Sequence, residues 1–235
     1  MKEKFFSHTV CNVIIVVSLV ILSLVATAGG DSVSVFGAKN EALYNGNRDS
    51  RKVTLMINVY WGTEFVLPMA ELIKKYGFTT TFFVGGSWAD DNADILKRLD
   101  ADGFEIANHG YFHLEPEKTD YNKQRDEILM TQKLLEATLN KEPVKLFAPP
   151  SGSLSQNMFD ICRENGYKVI MWSRDTVDWR DKDSSLVYRR AVNNMQGGDL
   201  VLMHPTTHTL QALPDILDYI KKSGLILTTV SDNLS

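Results

Sequence analysis

From Arg51 to the C-terminus this sequence predicts an α/β fold, a distorted (β/α) barrel of about seven strands, set behind a separate N-terminal segment. Three observations carry the prediction. Short apolar strand patterns alternate with helical periodicity throughout, as in βαβ units joined by right-handed crossovers. Four junctions repeat one pattern, Lys75-Tyr76-Gly77-Phe78, Ala101-Asp102-Gly103-Phe104, Glu164-Asn165-Gly166-Tyr167 and Lys222-Ser223-Gly224-Leu225. Each sets glycine between a helix end and an apolar strand start, where it takes the left-handed conformation that drops the chain into the sheet. No Gly-x-Gly-x-x-Gly follows the first strand, so a dinucleotide-binding sheet has no support, and the strand count favours closure into a barrel.

The elements follow in order. Residues 52–60 form a mostly apolar strand, Pro68 opens a helix over 68–75, and 79–84, rich in Thr, Phe and Val, is the next strand. Helical periodicity returns at Ile95 and Leu99, and Gly103 ends it before a strand at 104–107. The longest helix spans 121–139, with Ile128, Leu134, Leu135 and Leu139 among its apolar positions. Strands at 146–148, 167–172, 200–203 and 225–228 then alternate with helices at 157–164, 185–194 and 209–222.

The first residues are a different material. Lys2 and Lys4 precede an almost uncharged run over 10–28 that ends in Ala26-Thr27-Ala28, the small-x-small form of a signal peptidase site. The run is also about long enough to cross a bilayer as an uncleaved anchor. Either alternative places the domain outside the cytoplasmic membrane, secreted or anchored on its outer face. The expected organisation is therefore a signal peptide or membrane anchor at 1–28, a flexible linker at 29–50, and one domain at 51–235.

Of 235 residues, 44% are hydrophobic and 23% charged, which excludes disorder and low-complexity scaffolds. A net charge of −4 argues against a nucleic-acid surface, which needs clustered Lys and Arg. The two cysteines, Cys11 and Cys162, make no disulfide framework, and Cys162 lies in a helical pattern as a small core residue.

In a barrel of this kind chemistry gathers at the strand C-termini. Those ends carry Asn58, His109 with His113, Pro149-Pro150, Asp175 with Asp178 and Trp179, and His204. Two imidazoles four apart share one face of a helical turn and suit a divalent metal, zinc above all; two exposed loop histidines are the alternative.

At these residues the sequence resembles the polysaccharide deacetylase family (NodB homology domain, carbohydrate esterase family 4), over roughly Arg51 to the C-terminus. His109-x-x-x-His113 is similar to its metal-binding motif, and Phe147-Ala148-Pro149-Pro150-Ser151-Gly152 to its Arg-Pro-Pro-Tyr-Gly loop. Asp175-Thr176-Val177-Asp178-Trp179 resembles its Asp-x-x-Asp-Trp motif, and Leu202-Met203-His204 its Leu-x-His motif. The resemblance implies removal of acetyl groups from a cell-wall or related glycan, with a polysaccharide or peptidoglycan as substrate. A metal-activated water attacks the acetyl carbonyl, a carboxylate accepts its proton, and His204 donates to the leaving nitrogen. It places His109 and His113 on the metal, Pro149 and Pro150 against substrate, and Trp179 and Leu202 around the acetyl pocket, although both also read as core residues.

The first motif departs. Where the family has Thr-Phe-Asp-Asp-Gly, this chain reads Met56-Ile57-Asn58-Val59-Tyr60. Asn58 stands at the base position and cannot take a proton near neutral pH, Val59 stands at a ligand position and cannot coordinate, and Ala148 replaces the Arg that orients the base. Without a carboxylate at 58, an Arg beside it would be an unpaired charge, so the losses are coherent. Glu64, read mainly as a solvated helix-start glutamate, and Asp175 or Asp178 are the carboxylates left to serve instead. Ile-Asn-Val-x-Trp-Gly with His204-Pro205-Thr206 is similar to a sporulation-linked subgroup. Two functions follow: an extracytoplasmic metal-dependent deacetylase, or a glycan-binding, morphogenetic protein that kept the groove and lost the chemistry. A membrane-tethered partner module has only the N-terminal run behind it.

Overall fold

A computed structural model describes residues 10, 13, 15–17 and 41–235. The chain divides into two units, 1–39 and 40–235, and the second carries the fold. The signal or anchor expected at 1–28 lies almost wholly outside the described residues, among which no helix is long and apolar enough to cross a membrane.

The strands are β1 (Ala42–Leu43), β2 (Lys52–Val59), β3 (Thr81–Val84), β4 (Glu105–Asn108), β5 (Leu146–Phe147), β6 (Lys168–Ile170), β7 (Arg174–Asp175), β8 (Leu200–Met203) and β9 (Ile226–Leu227). The helices are α1 (Thr63–Lys75), α2 (Gly86–Asp91), α3 (Ala93–Ala101), α4 (Tyr121–Leu139), α5 (Gln156–Glu164), α6 (Ser184–Val192), α7 (Thr207–Lys222) and α8 (Val230–Asn233). The strands form one parallel sheet in the order β1-β6-β5-β4-β3-β2-β8-β7, with β9 also paired to β2. β2 is buried at every position after Lys52, as a central strand covered on both faces must be. The largest core cluster fills the space between β2, β3, β8 and the helices α1, α3, α6 and α7. Cys162 is buried in a smaller cluster with Phe147 and Val169, the packing role expected of it.

Register brings the chemistry-bearing strand ends to one side. Ile57 pairs with Met203, Val59 with Val84, Val84 with Asn108, and Asp175 with Leu202. Asn58, His109, Asp175 and His204 therefore leave the sheet together.

The structure departs from expectation in four places. The sheet does not close, because β1 and β7 end its path without pairing. The chain itself crosses that gap: Met171 N–H donates to Leu43 O and Ser173 N–H to Leu200 O. The second half of the expected linker is ordered, with β1 paired to β6 and Arg48 bound to the buried Asp199 at 2.6 Å. Asp199 also takes Arg174 at 2.5 Å and Ser173 Oγ at 2.9 Å, which ties this segment to the crossing. Helix α1 begins at Thr63, so Pro68 lies inside it and forgoes only the bond to the carbonyl of Glu64. Finally, β7, α2 and α8 are additional elements, too short to leave a periodic pattern.

The repeated junction glycines behave as expected. Gly77, Gly103, Gly166 and Gly224 all have positive φ, 68–86°. An added Cβ would meet nothing within 4 Å at any of them, so conformation, not space, requires glycine there.

Candidate active site

A cavity of about 410 Å³ opens at the strand C-terminal end. Asn58, Tyr60 and Trp61 line it from β2, His109 and His113 from the loop after β4, and Ser151 and Gly152 from the turn after β5. Trp172, Asp175, Trp179, Leu202 and His204 complete the wall.

The two histidines of the β4 loop meet through that loop, not through a helical turn. Asn108 donates to Ile128 O at 2.8 Å and accepts from Gly110 N–H at 2.9 Å. Glu127, from α4, accepts from Phe112 N–H at 2.9 Å and Leu114 N–H at 3.1 Å. Gly110 and His113 take positive φ, 79° and 59°, and the imidazoles stand nearly perpendicular with centroids 5.0 Å apart. His109 donates Nδ1–H to Ala148 O at 2.7 Å, which leaves Nε2 with a free lone pair. Burial, with the neighbouring His113, pushes the His109 imidazole down to about 3, and burial also lowers His113. Both rings are neutral at physiological pH.

On the opposite wall His204 follows β8. Its Nδ1–H donates to Asp178 Oδ1 at 2.7 Å, while His204 N–H and the Thr209 hydroxyl donate to Asp178 Oδ2, both at 2.6 Å. Burial pushes this carboxyl up, but the bonds and charge of His204 outweigh it and hold Asp178 below the usual aspartate range. The Asp-x-x-Asp turn that delivers it runs through Val177 at φ 53°, a strained setting for a β-branched residue, with Val177 N–H bound to Asp175 Oδ1 at 2.7 Å. Trp61 stacks on His204 with centroids 5.8 Å apart and planes 7° from parallel. Gly62 lets the loop approach so closely: a Cβ there would lie 2.0 Å from Pro205 O.

The β2 wall is different. Asn58 is 4% exposed and its Oδ1 is buried without a hydrogen-bond partner. Val59 and Ala148 are fully buried. Among the described residues no three His, Cys, Asp or Glu side chains are arranged to hold a metal ion. Two imidazoles without a carboxylate fall short of the three protein ligands of a catalytic zinc, so this donor set does not fit one.

Of the residues expected from the sequence, His204, Asn58, Asp175, His109, His113, Trp179 and Leu202 all line the cavity. Leu202 is 4% exposed and Trp179 55% exposed, so Leu202 forms the inner wall and the indole the rim. Pro149 and Pro150 are buried and do not line the cavity; the turn they shape presents Ser151 and Gly152 instead. Glu64 is exposed in the first turn of α1, as a solvated helix-start residue. Asp178 is bound to His204, which leaves it no role as a base. Tyr60, Trp61 and Trp172 also line the cavity; the motifs contain the first two without assigning them to the site, and aromatic residues at strand ends are the signal that points to all three.

The family model for polysaccharide deacetylases matches residues 45–170, more than half of the chain. The chain belongs to the polysaccharide deacetylase family. Within that family it is 33% identical to a peptidoglycan-N-acetylglucosamine deacetylase of Bacillus cereus, over 70% of this chain and 79% of that one. It is 34% identical to the uncharacterized protein YlxY of Bacillus subtilis over 86% of its own length, but spans only 63% of that relative. A CE4 family pseudoenzyme from Bacillus anthracis superposes with a TM-score of 0.80 at 31% identity, covering 83% of this chain and 69% of that one. A mutant of that pseudoenzyme with restored enzymatic activity superposes with the same TM-score at 30% identity, covering 83% and 72%. The curled parallel sheet is thus the (β/α) barrel of the deacetylase family.

Proposed function

We propose that this chain is an extracytoplasmic glycan-binding protein on a deacetylase fold, with peptidoglycan or a related cell-wall polysaccharide as its ligand and with acetyl hydrolysis impaired. One observation carries the reading: the position that should hold the catalytic carboxylate is Asn58, whose buried Oδ1 has no partner, beside an apolar Val59. An amide cannot accept the proton of an attacking water near neutral pH, so general-base assistance of about 10²–10⁴ is lost. The aromatic rim and the inner wall formed by Leu202 keep a groove suited to a sugar. Placement outside the membrane rests on the N-terminal run of 10–28.

A metal-dependent deacetylase is the second reading. It is favoured by the His109 tautomer, with Nε2 free, and by the His204–Asp178 pair. His109 and His113 would then hold the divalent ion, with a third ligand supplied from outside this cluster. Acetate release from N-acetylglucosamine oligomers and peptidoglycan, with the zinc-loaded full-length chain beside a Bacillus cereus deacetylase, separates the two. Binding without acetate supports the first reading, and acetate at a rate near that of the relative supports the second.

A further inference from the structure

The cavity wall carries hydrogen-bond acceptors that the fold itself leaves unused. Asn58 Oδ1 is an acceptor with no partner, and a buried polar group left unmet is destabilising. His109 commits Nδ1–H to Ala148 O, so Nε2 is the ring atom left to face a ligand. The Asp175 carboxylate also lines the cavity, from the β7 side, and uses Oδ1 for Val177 N–H. No lysine or arginine lines the cavity; His204, which does, is paired with Asp178 at 2.7 Å, and Arg180, the exposed cation beyond Trp179, with Asp181 at 2.9 Å. Trp61 and Trp179, 45% and 55% exposed, offer indole faces that pack against a sugar ring and attract positive charge.

An acetamido group matches this surface poorly. It brings one N–H to these acceptors, and it is neutral. An ammonium brings three donors and a charge that Asp175 complements. We propose that the cavity recognises the de-N-acetylated amino sugar, a glucosamine-type unit carrying a free ammonium, in preference to its N-acetylated parent. The inference deepens the glycan-binding reading above and rests on it: the fold that elsewhere removes the acetyl group here reads its absence.

The test is isothermal titration calorimetry of the full-length chain with a β-1,4 glucosamine tetramer and with its fully N-acetylated counterpart. Hydrogen bonds to a charged group give an expected preference of about 10- to 100-fold for the glucosamine tetramer. Asn58→Leu, which changes no charge, and Asp175→Asn should each remove most of that preference while leaving thermal unfolding near that of the parent. Equal or tighter binding of the N-acetylated tetramer overturns the inference and leaves the glycan reading standing. A preference that survives both substitutions also overturns it, since the acidic chain as a whole would then be attracting the amine. Binding of neither tetramer overturns the glycan reading itself.

Discussion

Asp178, bonded behind His204, and Asn58, at the end of β2 on the cavity itself, are used differently by the fold. Asp178 receives the backbone N–H and ring N–H of His204 and the Thr209 hydroxyl, so it joins the end of β8 to the start of α7. Asn58 Oδ1 has no partner, and Val59 next to it and Ala148 after β5 are fully buried apolar residues. Relative to the family motifs, the wall that retained its residues is the one whose polar groups also hold the backbone. The wall that changed carried groups only the chemistry needed. Loss of a base, a ligand and an Arg there leaves a packed, folded protein, whereas loss of Asp178 would leave several buried donors unmet.

Stability measurements sharpen that contrast. Asp178→Asn should cost about 3 kcal/mol in urea unfolding, since it breaks a buried charged pair. Because this carboxyl is held below the ordinary aspartate value of 3.8, its contribution is fully present above about pH 4 and fades as pH falls through its lower folded value. The gap between parent and variant should therefore hold from neutral pH to about 4 and narrow below it. Gly62→Ala should cost about 2 kcal/mol or more, because its Cβ meets Pro205 O at a positive φ of 74°, and should quench the Trp61–His204 stack seen in near-UV circular dichroism. Gly77→Ala meets no neighbour and should cost only the roughly 1 kcal/mol of a left-handed alanine, with glycan binding unchanged. Asn58→Leu should change stability by no more than about 0.5 kcal/mol, or raise it, since an unmet buried acceptor is removed. A cost near that of Asp178→Asn would break the contrast.

What could be read in the sequence was what local chemistry decides. The longest helix, Tyr121–Leu139, and the strand Leu200–Met203 fall at the expected residues, one bounded by the Asp120 cap and left-handed Asn140, the other by its apolar run. The cavity residues were legible because they stand at strand ends. β1 and β7 were not, since neither, unlike the equally short β5 and β9, contains a fully buried residue: each is half-buried and defined by its partner strand. The loop that brings His109 to His113 depends on a Glu127 carboxylate from α4, and Asp178 reaches His204 across 26 residues; neither spacing announces such a contact. The open seam of the barrel was not legible because the segment 171–173 spans it through backbone bonds to Leu43 and Leu200 rather than through a strand pair.

Restoring the changed wall tests the central claim most directly. The triple variant Asn58→Asp, Val59→Asp, Ala148→Arg, checked for folding by circular dichroism and loaded with zinc, is assayed for acetate release from N-acetylglucosamine oligomers. If only the β2 wall is deficient, the variant exceeds the parent by about 10² or more, and His204→Ala in the variant removes the gain. A parent that already turns over like its Bacillus cereus relative, or a folded, zinc-loaded variant that stays inert, would contradict the account.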